Sequence, residues 1–236
     1  MQTLRSLIFS IGMIIVTIIY APPSVLSIVL PYRWRYAFIN SWRLFMLWWV
    51  KVSCGIKYEV DGLENIPKDQ TCIIFSRHES TWETLALGKW FPPHVWILKR
   101  ELLFVPFFGW GLSVLEPIAI DRKAGRKAIN QIIKQGVERL KKGRWVMVFP
   151  EGTRLAPDTE KKFGVGGAIL ASKSGYPIIP VVHNAGEFWR KGQFVKTPGT
   201  IHVKIGKPIL TEGKSASEIN ELARDWMSKA RSALRQ

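Results

Sequence analysis

Apolar and polar positions follow different rhythms in different parts of the chain. Residues 7–21 are apolar apart from Ser10 and Thr17, Pro22 and Pro23 interrupt the run, and it resumes over 25–30. A helix of about fifteen residues reaches about 22 Å, short of a hydrocarbon core of roughly 30 Å. No small-residue cleavage site follows and the sequence stays hydrophobic, which argues against a cleaved signal peptide. Over 33–51 the rhythm is helical. Arg33, Tyr36, Asn40, Arg43 and Lys51 share a stripe, while Trp34, Phe38, Trp42, Phe45, Met46, Trp48 and Trp49 cover much of the remainder. A basic stripe against an aromatic face predicts a helix lying in a membrane interface. Residues 4–53 are therefore expected to form a two-helix membrane anchor that dips into one leaflet or spans once. Arg33, Arg35 and Arg43 follow the apolar run, so a spanning arrangement leaves the rest of the chain on the cytoplasmic face, the inner membrane in a bacterium.

After a polar stretch at 57–69 with turn signals at Asp61-Gly62 and Pro67, strand and helix patterns alternate. Short apolar runs at 72–76, 95–98, 113–120, 145–149, 178–182 and 201–205 read as strands. Helical patterns fall at 81–90, 124–141, 164–174 and 215–234. The second of these repeats Ile129, Ile132, Ile133, Val137 and Leu140 at helical spacing. This alternation predicts an α/β fold: a largely parallel mixed sheet flanked by helices. The expected division is a membrane anchor at 1–56 and an α/β domain at 57–236.

Composition sharpens the choice of partner. The 34 basic against 18 acidic residues give a net charge of +16, which calls for an anionic partner. Eleven tryptophans and twelve phenylalanines favour an anionic membrane surface over nucleic acid, and no nucleic-acid-binding motif is present. Cys54 and Cys72 make no disulfide framework, and His78, His94, His183 and His202 lack zinc-ligand spacing, so no metal is expected.

Two strand ends carry candidate chemistry. The run at 72–76 ends in Arg77-His78-Glu79-Ser80, placing an imidazole where open α/β sheets keep their sites. His78 and Glu83 are five apart, roughly 140° around a helix, so they cannot share a helical face. With His78 in the elbow and Glu83 in the first helical turn, the carboxylate can fold back, fix the ring tautomer and free the other nitrogen for a proton. Ser80 and Glu83 also fit a capping box, in which both serve only the backbone. The second signal is Phe149-Pro150-Glu151-Gly152-Thr153-Arg154, directly after the strand at 145–149. Gly152 permits close backbone approach, Thr153 offers a hydroxyl, and Arg154 a planar fork suited to phosphate.

His-x4-acid followed by Phe-Pro-Glu-Gly-Thr-Arg resembles the glycerolipid acyltransferase family. Lys99-Arg100-Glu101-Leu102-Leu103 with Pro106-Phe107-Phe108-Gly109-Trp110, continuing to Ile120-Asp121-Arg122, resembles its second block, and Ile178-Ile179-Pro180-Val181 its fourth. The blocks stand in the family's order over roughly 72–182. One position departs: the family's first motif usually ends in Asp, whereas residue 83 is Glu, one methylene longer.

The resemblance implies a membrane enzyme of phospholipid biosynthesis. It would transfer a fatty acyl group from acyl-CoA or acyl carrier protein to the sn-2 hydroxyl of 1-acyl-glycerol-3-phosphate, giving phosphatidic acid, with no cofactor. His78 would be the general base and Glu83 its orienting partner. Arg154, Arg122 and Lys99 would hold the acceptor phosphate, with Gly152 and Thr153 completing the binding turn and Glu151 either capping their amides or anchoring Arg154. Residues 102–112 could line the acyl-chain channel or form a core loop. Pro180 is expected at a strand edge. The alternatives are another lysophospholipid or lyso-aminolipid as acceptor, a hydrolase using Ser80, or a non-catalytic membrane-interaction protein.

Overall fold

The computed structural model describes residues 1–234, and at Arg122 the backbone alone. Helix α1 (Gln2–Leu26) runs straight through Pro22 and Pro23, so the prolines do not end the first helix as the sequence suggested. Its length is about 37 Å at 1.5 Å per residue. Among the described residues it is the one helix, continued to Val29, long and apolar enough to cross a membrane. Ile11, Ile14, Ile15, Ile18 and Ile19 stand exposed along it.

Helix α2 (Tyr32–Cys54) departs from the expected interfacial orientation. The middle of its polar stripe turns inward: Tyr36 and Arg43 are buried, while Trp34, Phe45 and Trp48 are exposed. The stripe is therefore not a headgroup-facing surface. Of the stripe, the Tyr36 hydroxyl meets His94 Nδ1 at 3.1 Å, and beside the stripe Arg35 forms an ion pair with Glu116 at 3.0 Å. Met46, Leu47, Val50 and Cys54 pack into the same cluster as Phe9 of α1 and the sheet residues Ile74, Met147 and Ile179.

Seven strands form one sheet in the order β1-β7-β6-β2-β5-β3-β4. These are β1 (Ile56–Asp61), β2 (Ile73–Ser76), β3 (His94–Lys99), β4 (Ile118–Ile120), β5 (Trp145–Val148), β6 (Ile178–His183) and β7 (Gly199–Ile205). All neighbours run parallel except β6 and β7, which is the expected mixed, largely parallel sheet. Central strands β2, β5 and β6 are buried at every position, as strands covered on both faces must be. The edge strand β1 was missed within the polar 57–69 stretch. Its alternation of Ile56, Tyr58 and Val60 with Lys57, Glu59 and Asp61 matches a strand with one face covered.

Helices cover both faces. Helices α1, α2 and the short α3 (Trp82–Ala86) lie over one. Helices α5 (Arg126–Lys141), α6 (Val165–Ser174) and α8 (Ala216–Ala233) lie over the other, around Phe75, Val146 and Val182. Short helices α4 (Phe108–Ser113) and α7 (Ala185–Phe188) complete the set, so the run at 113–120 is strand only from Ile118. Helix α8 starts where the sequence puts it, because Ser215 and Glu218 form a reciprocal capping box. Pro180 lies in the interior strand β6, not at an edge. Its carbonyl accepts from Gly206 just beyond the end of the β6–β7 ladder at Ile205, so the position without an N–H falls where that ladder stops.

Candidate active site

Strand β2 ends at Ser76, and the chain turns through Arg77-His78-Glu79-Ser80 before α3 begins. His78 Nδ1 lies 2.8 Å from Glu83 Oε1. That same oxygen accepts from the Glu79 amide at 3.0 Å and the Ser80 amide at 2.9 Å, and Oε2 also accepts from Ser80 at 3.1 Å. Glu83 makes both kinds of contact the sequence allows: it accepts from the backbone of the turn and meets the imidazole. The capping box itself is only half formed, because the Ser80 hydroxyl accepts from the Trp82 amide. Ser80 is fully buried, which leaves it badly placed for a hydrolytic nucleophile. The extra methylene of Glu83 does not spoil the contact with His78.

Glu83 is fully buried, which alone would raise its carboxyl. The nearby His183, the His78 hydrogen bond and charge, and the Ser80 amide outweigh burial and hold it below the usual carboxylate range. His183 Nε2 lies 3.9 Å from Glu83 Oε2 and donates to the Arg77 carbonyl at 2.9 Å, while Nδ1 accepts from the Ala185 amide. With Nδ1 engaged, His78 keeps Nε2 for proton transfer.

The second motif meets the first directly. Phe149 stacks on the His78 ring with centroids 3.8 Å apart and planes 11° from parallel. The Leu155 amide donates to the His78 carbonyl at 2.8 Å. Arg154 Nη1 donates to the Thr81 hydroxyl at 2.8 Å, so the guanidinium sits over the start of α3, beside the histidine elbow. Gly152 has φ +69°, a conformation that disfavours a side chain. The Thr153 hydroxyl lies 3.4 Å from Lys191 Nζ, which also reaches the Arg154 carbonyl.

Glu151 departs from its expected place. It does not anchor Arg154; it is buried, with Oε1 3.5 Å from Arg77 Nη1. Burial pushes its carboxyl up to about 7, against the pull of its own amide and Arg77. Lys99, exposed at the end of β3, lines the same pocket as His78. The Arg122 side chain lies outside the described residues. Sequence reasoning missed Arg77 and His183. Arg77 binds Glu79 at 3.0 Å and Glu151 from the other side. His183 could have been found by asking which other apolar run ends in a titratable group at the His78 edge.

An apolar pocket opens beside His78. Thr17 and Ser24 of α1, Trp42 and Arg43 of α2, Trp96 and Leu98 of β3, and Leu102 and Phe108 from the loop and helix that follow contribute to its wall. The imidazole thus lines a cleft between the first two helices and the sheet. Nothing among the described residues groups three potential metal ligands.

The acyltransferase family model matches residues 57–184. The chain is 49% identical over 205 residues to 1-acyl-sn-glycerol-3-phosphate acyltransferase of Pseudomonas aeruginosa, covering 85% of this chain and 79% of that protein. It is 30% identical over 218 residues to the human 1-acyl-sn-glycerol-3-phosphate acyltransferase alpha, covering 81% and 77%. The crystal structure of the 1-acyl-sn-glycerophosphate acyltransferase PlsC from Thermotoga maritima shares the fold, with a TM-score of 0.82 at 24% identity over 100% of this chain and 98% of that one. The matched segment holds the strand elbow, the stacked phenylalanine and the arginine turn just described, and the chain belongs to the acyltransferase family.

Proposed function

We propose that the protein acylates the sn-2 hydroxyl of 1-acyl-glycerol-3-phosphate from acyl-CoA or acyl carrier protein, releasing phosphatidic acid at the cytoplasmic face of a membrane. The observation that carries this reading is the 2.8 Å His78–Glu83 contact in the wall of an apolar pocket, with Arg154 on the adjoining Thr81. The names of the relatives supply the acceptor.

His78 Nε2 takes the hydroxyl proton as the oxygen attacks the thioester carbonyl. The C–S bond then breaks, and the imidazolium returns the proton to the departing thiolate. Glu83 holds the ring and steadies its positive charge while it lasts. The stacked Phe149 face limits ring rotation and shields that charge from water. Arg154, exchanging its Thr81 bond, takes the acceptor phosphate as a bidentate anion, with Lys99 as a point charge from the β3 end and Arg122 as a third cation. The acyl chain lies in the apolar pocket, with Leu102 and Phe108 in its wall. The scheme uses the two substrates and no cofactor. Helix α1 supplies the membrane contact through its exposed isoleucines.

Mass-spectrometric product analysis tests the reading. Purified protein, 1-acyl-glycerol-3-phosphate and a mixed donor pool should yield phosphatidic acid, and His78→Ala should not. Acylation of a different lysolipid in preference would replace the acceptor, and full turnover by His78→Ala would remove the mechanism.

A further inference from the structure

The apolar pocket has a cationic floor. Arg43 lines the pocket and is 4% exposed, and its Nε, Nη1 and Nη2 find no hydrogen-bond partner among the described residues. The guanidinium lies 4.9 Å from the Tyr36 ring centre and packs over Gly88, where an added Cβ would come within 2.6 Å of Arg43 Cζ. The Tyr36 hydroxyl is 3.1 Å from His94 Nδ1, and His94 Nε2 is likewise buried without a partner. Burial first, and then the Arg43 charge, lower His94 to about 3, so it stays neutral and offers Arg43 no counter-charge.

This group sits at the far end from the chemistry. Strands β2, β5 and β3 run parallel, so Lys99 and His78 share one edge of the sheet and His94 lies at the other. The length of β3 separates those ends, roughly 16 Å at strand rise. A dry guanidinium without an anion is strongly unfavourable. The walls between Arg43 and His78 are Leu85, Trp96, Leu98 and Phe149. An inorganic anion would satisfy the floor and leave those walls bare. A neutral chain would cover the walls and strand the cation.

We propose that Arg43 is a carboxylate site at the floor of the pocket, which takes a long-chain free fatty acid with its carboxylate on the guanidinium and its tail running toward His78. The fork of Arg43 matches a carboxylate in bidentate geometry. Bound this way, the fatty acid fills the path of the acyl group and competes with the donor. That consequence rests on the reading of this pocket as the acyl-chain pocket.

The test uses full-length protein in detergent. Tetradecanoate and tetradecanol are titrated against it as competitors of a brominated fatty acid that quenches tryptophan fluorescence, Trp42 and Trp96 being in the pocket wall. Tetradecanoate should bind at least tenfold more tightly than the alcohol, and Arg43→Gln should abolish the difference. Gly88→Ala, which keeps the charge and displaces the guanidinium, should reduce it too, and serves if Arg43→Gln does not fold. Equal binding of acid and alcohol by the parent, or an undiminished preference in both variants, overturns the site. The two readings fail separately. Arg43-dependent binding that leaves acyl-donor kinetics untouched keeps the site and removes the acyl-pocket reading. Competition by acid and alcohol alike, independent of Arg43, does the reverse.

Discussion

Glu83 and Glu151 are both buried at the same edge of the same sheet, one from each catalytic-looking motif, yet their environments shift their carboxyls in opposite directions. Glu83 receives two backbone amides and an imidazole, and is held below the usual carboxylate range. Glu151 has one guanidinium at 3.5 Å and neither oxygen hydrogen-bonded among the described residues, and is pushed up to about 7. Burial is common to both, so the donors decide the charge. The proposed task of orienting and steadying a proton-carrying imidazole needs an ionised carboxylate, and His183, His78 and the Ser80 amide favour that form of Glu83 against burial.

The largest expected effect tests the function of that ionised group. His78→Ala should lower acyl transfer by about 10²–10⁴-fold, with circular dichroism and vesicle binding unchanged. Glu83→Gln keeps an oxygen for the amides but loses the charge, so it should cost about 10–10³-fold in kcat, with little change in acceptor KM. If Glu151→Gln costs as much as Glu83→Gln, the two carboxylates are not the different devices described here. Arg154→Ala should raise KM for a phosphate-bearing acceptor by about tenfold or more, a loss of about 1.4 kcal/mol or more for a charged hydrogen bond, and should affect a neutral acceptor less. Equal loss on both acceptors would give Arg154 another task.

The smallest effects are on stability, and their signs differ. Glu83 has a lowered native pKa, so its contribution is present above the unfolded value of about 4.3 and is lost as pH falls through the native one. Acid unfolding of Glu83→Gln should therefore be less steep than that of the parent below about pH 4.3. Glu151 has a raised native pKa, so its contribution is present below about 4.3 and is lost as pH rises toward 7. Glu151→Gln should gain stability relative to the parent across that interval, by roughly 3–4 kcal/mol between pH 4 and pH 8, measured by thermal or denaturant unfolding. A constant difference between pH 4 and 8 would show that Glu151 does not titrate in that window.

The buried central strands and the two motifs were legible because each carries a local signature, whereas the edge strand β1 was hidden by its polar outer face. Buried strands β2, β5 and β6 read as continuous apolar runs, and His78 and Arg154 stand directly beyond two of them. What escaped depended on long-range packing. The prolines of α1 are tolerated where a short-range rule ends the helix. The stripe holding Tyr36 and Arg43 looks solvent-facing from its polarity, but the exposed face of α2 carries Trp34, Phe45 and Trp48. Glu151 sits in a motif that invites a ligand-binding role, while its side chain turns toward Arg77, a residue 74 positions earlier (151 − 77).

The shared cluster of Phe9, Met46 and Val50 with Ile74 and Met147 has a mechanical corollary. No flexible tether separates the hydrophobic helices from the catalytic layer, so the orientation of the His78 edge relative to whatever surface receives α1 is fixed by side-chain packing. Cutting the chain at Gly55 would not release a freely tumbling catalyst. It would strip one face of the sheet of its cover and leave that face prone to self-association.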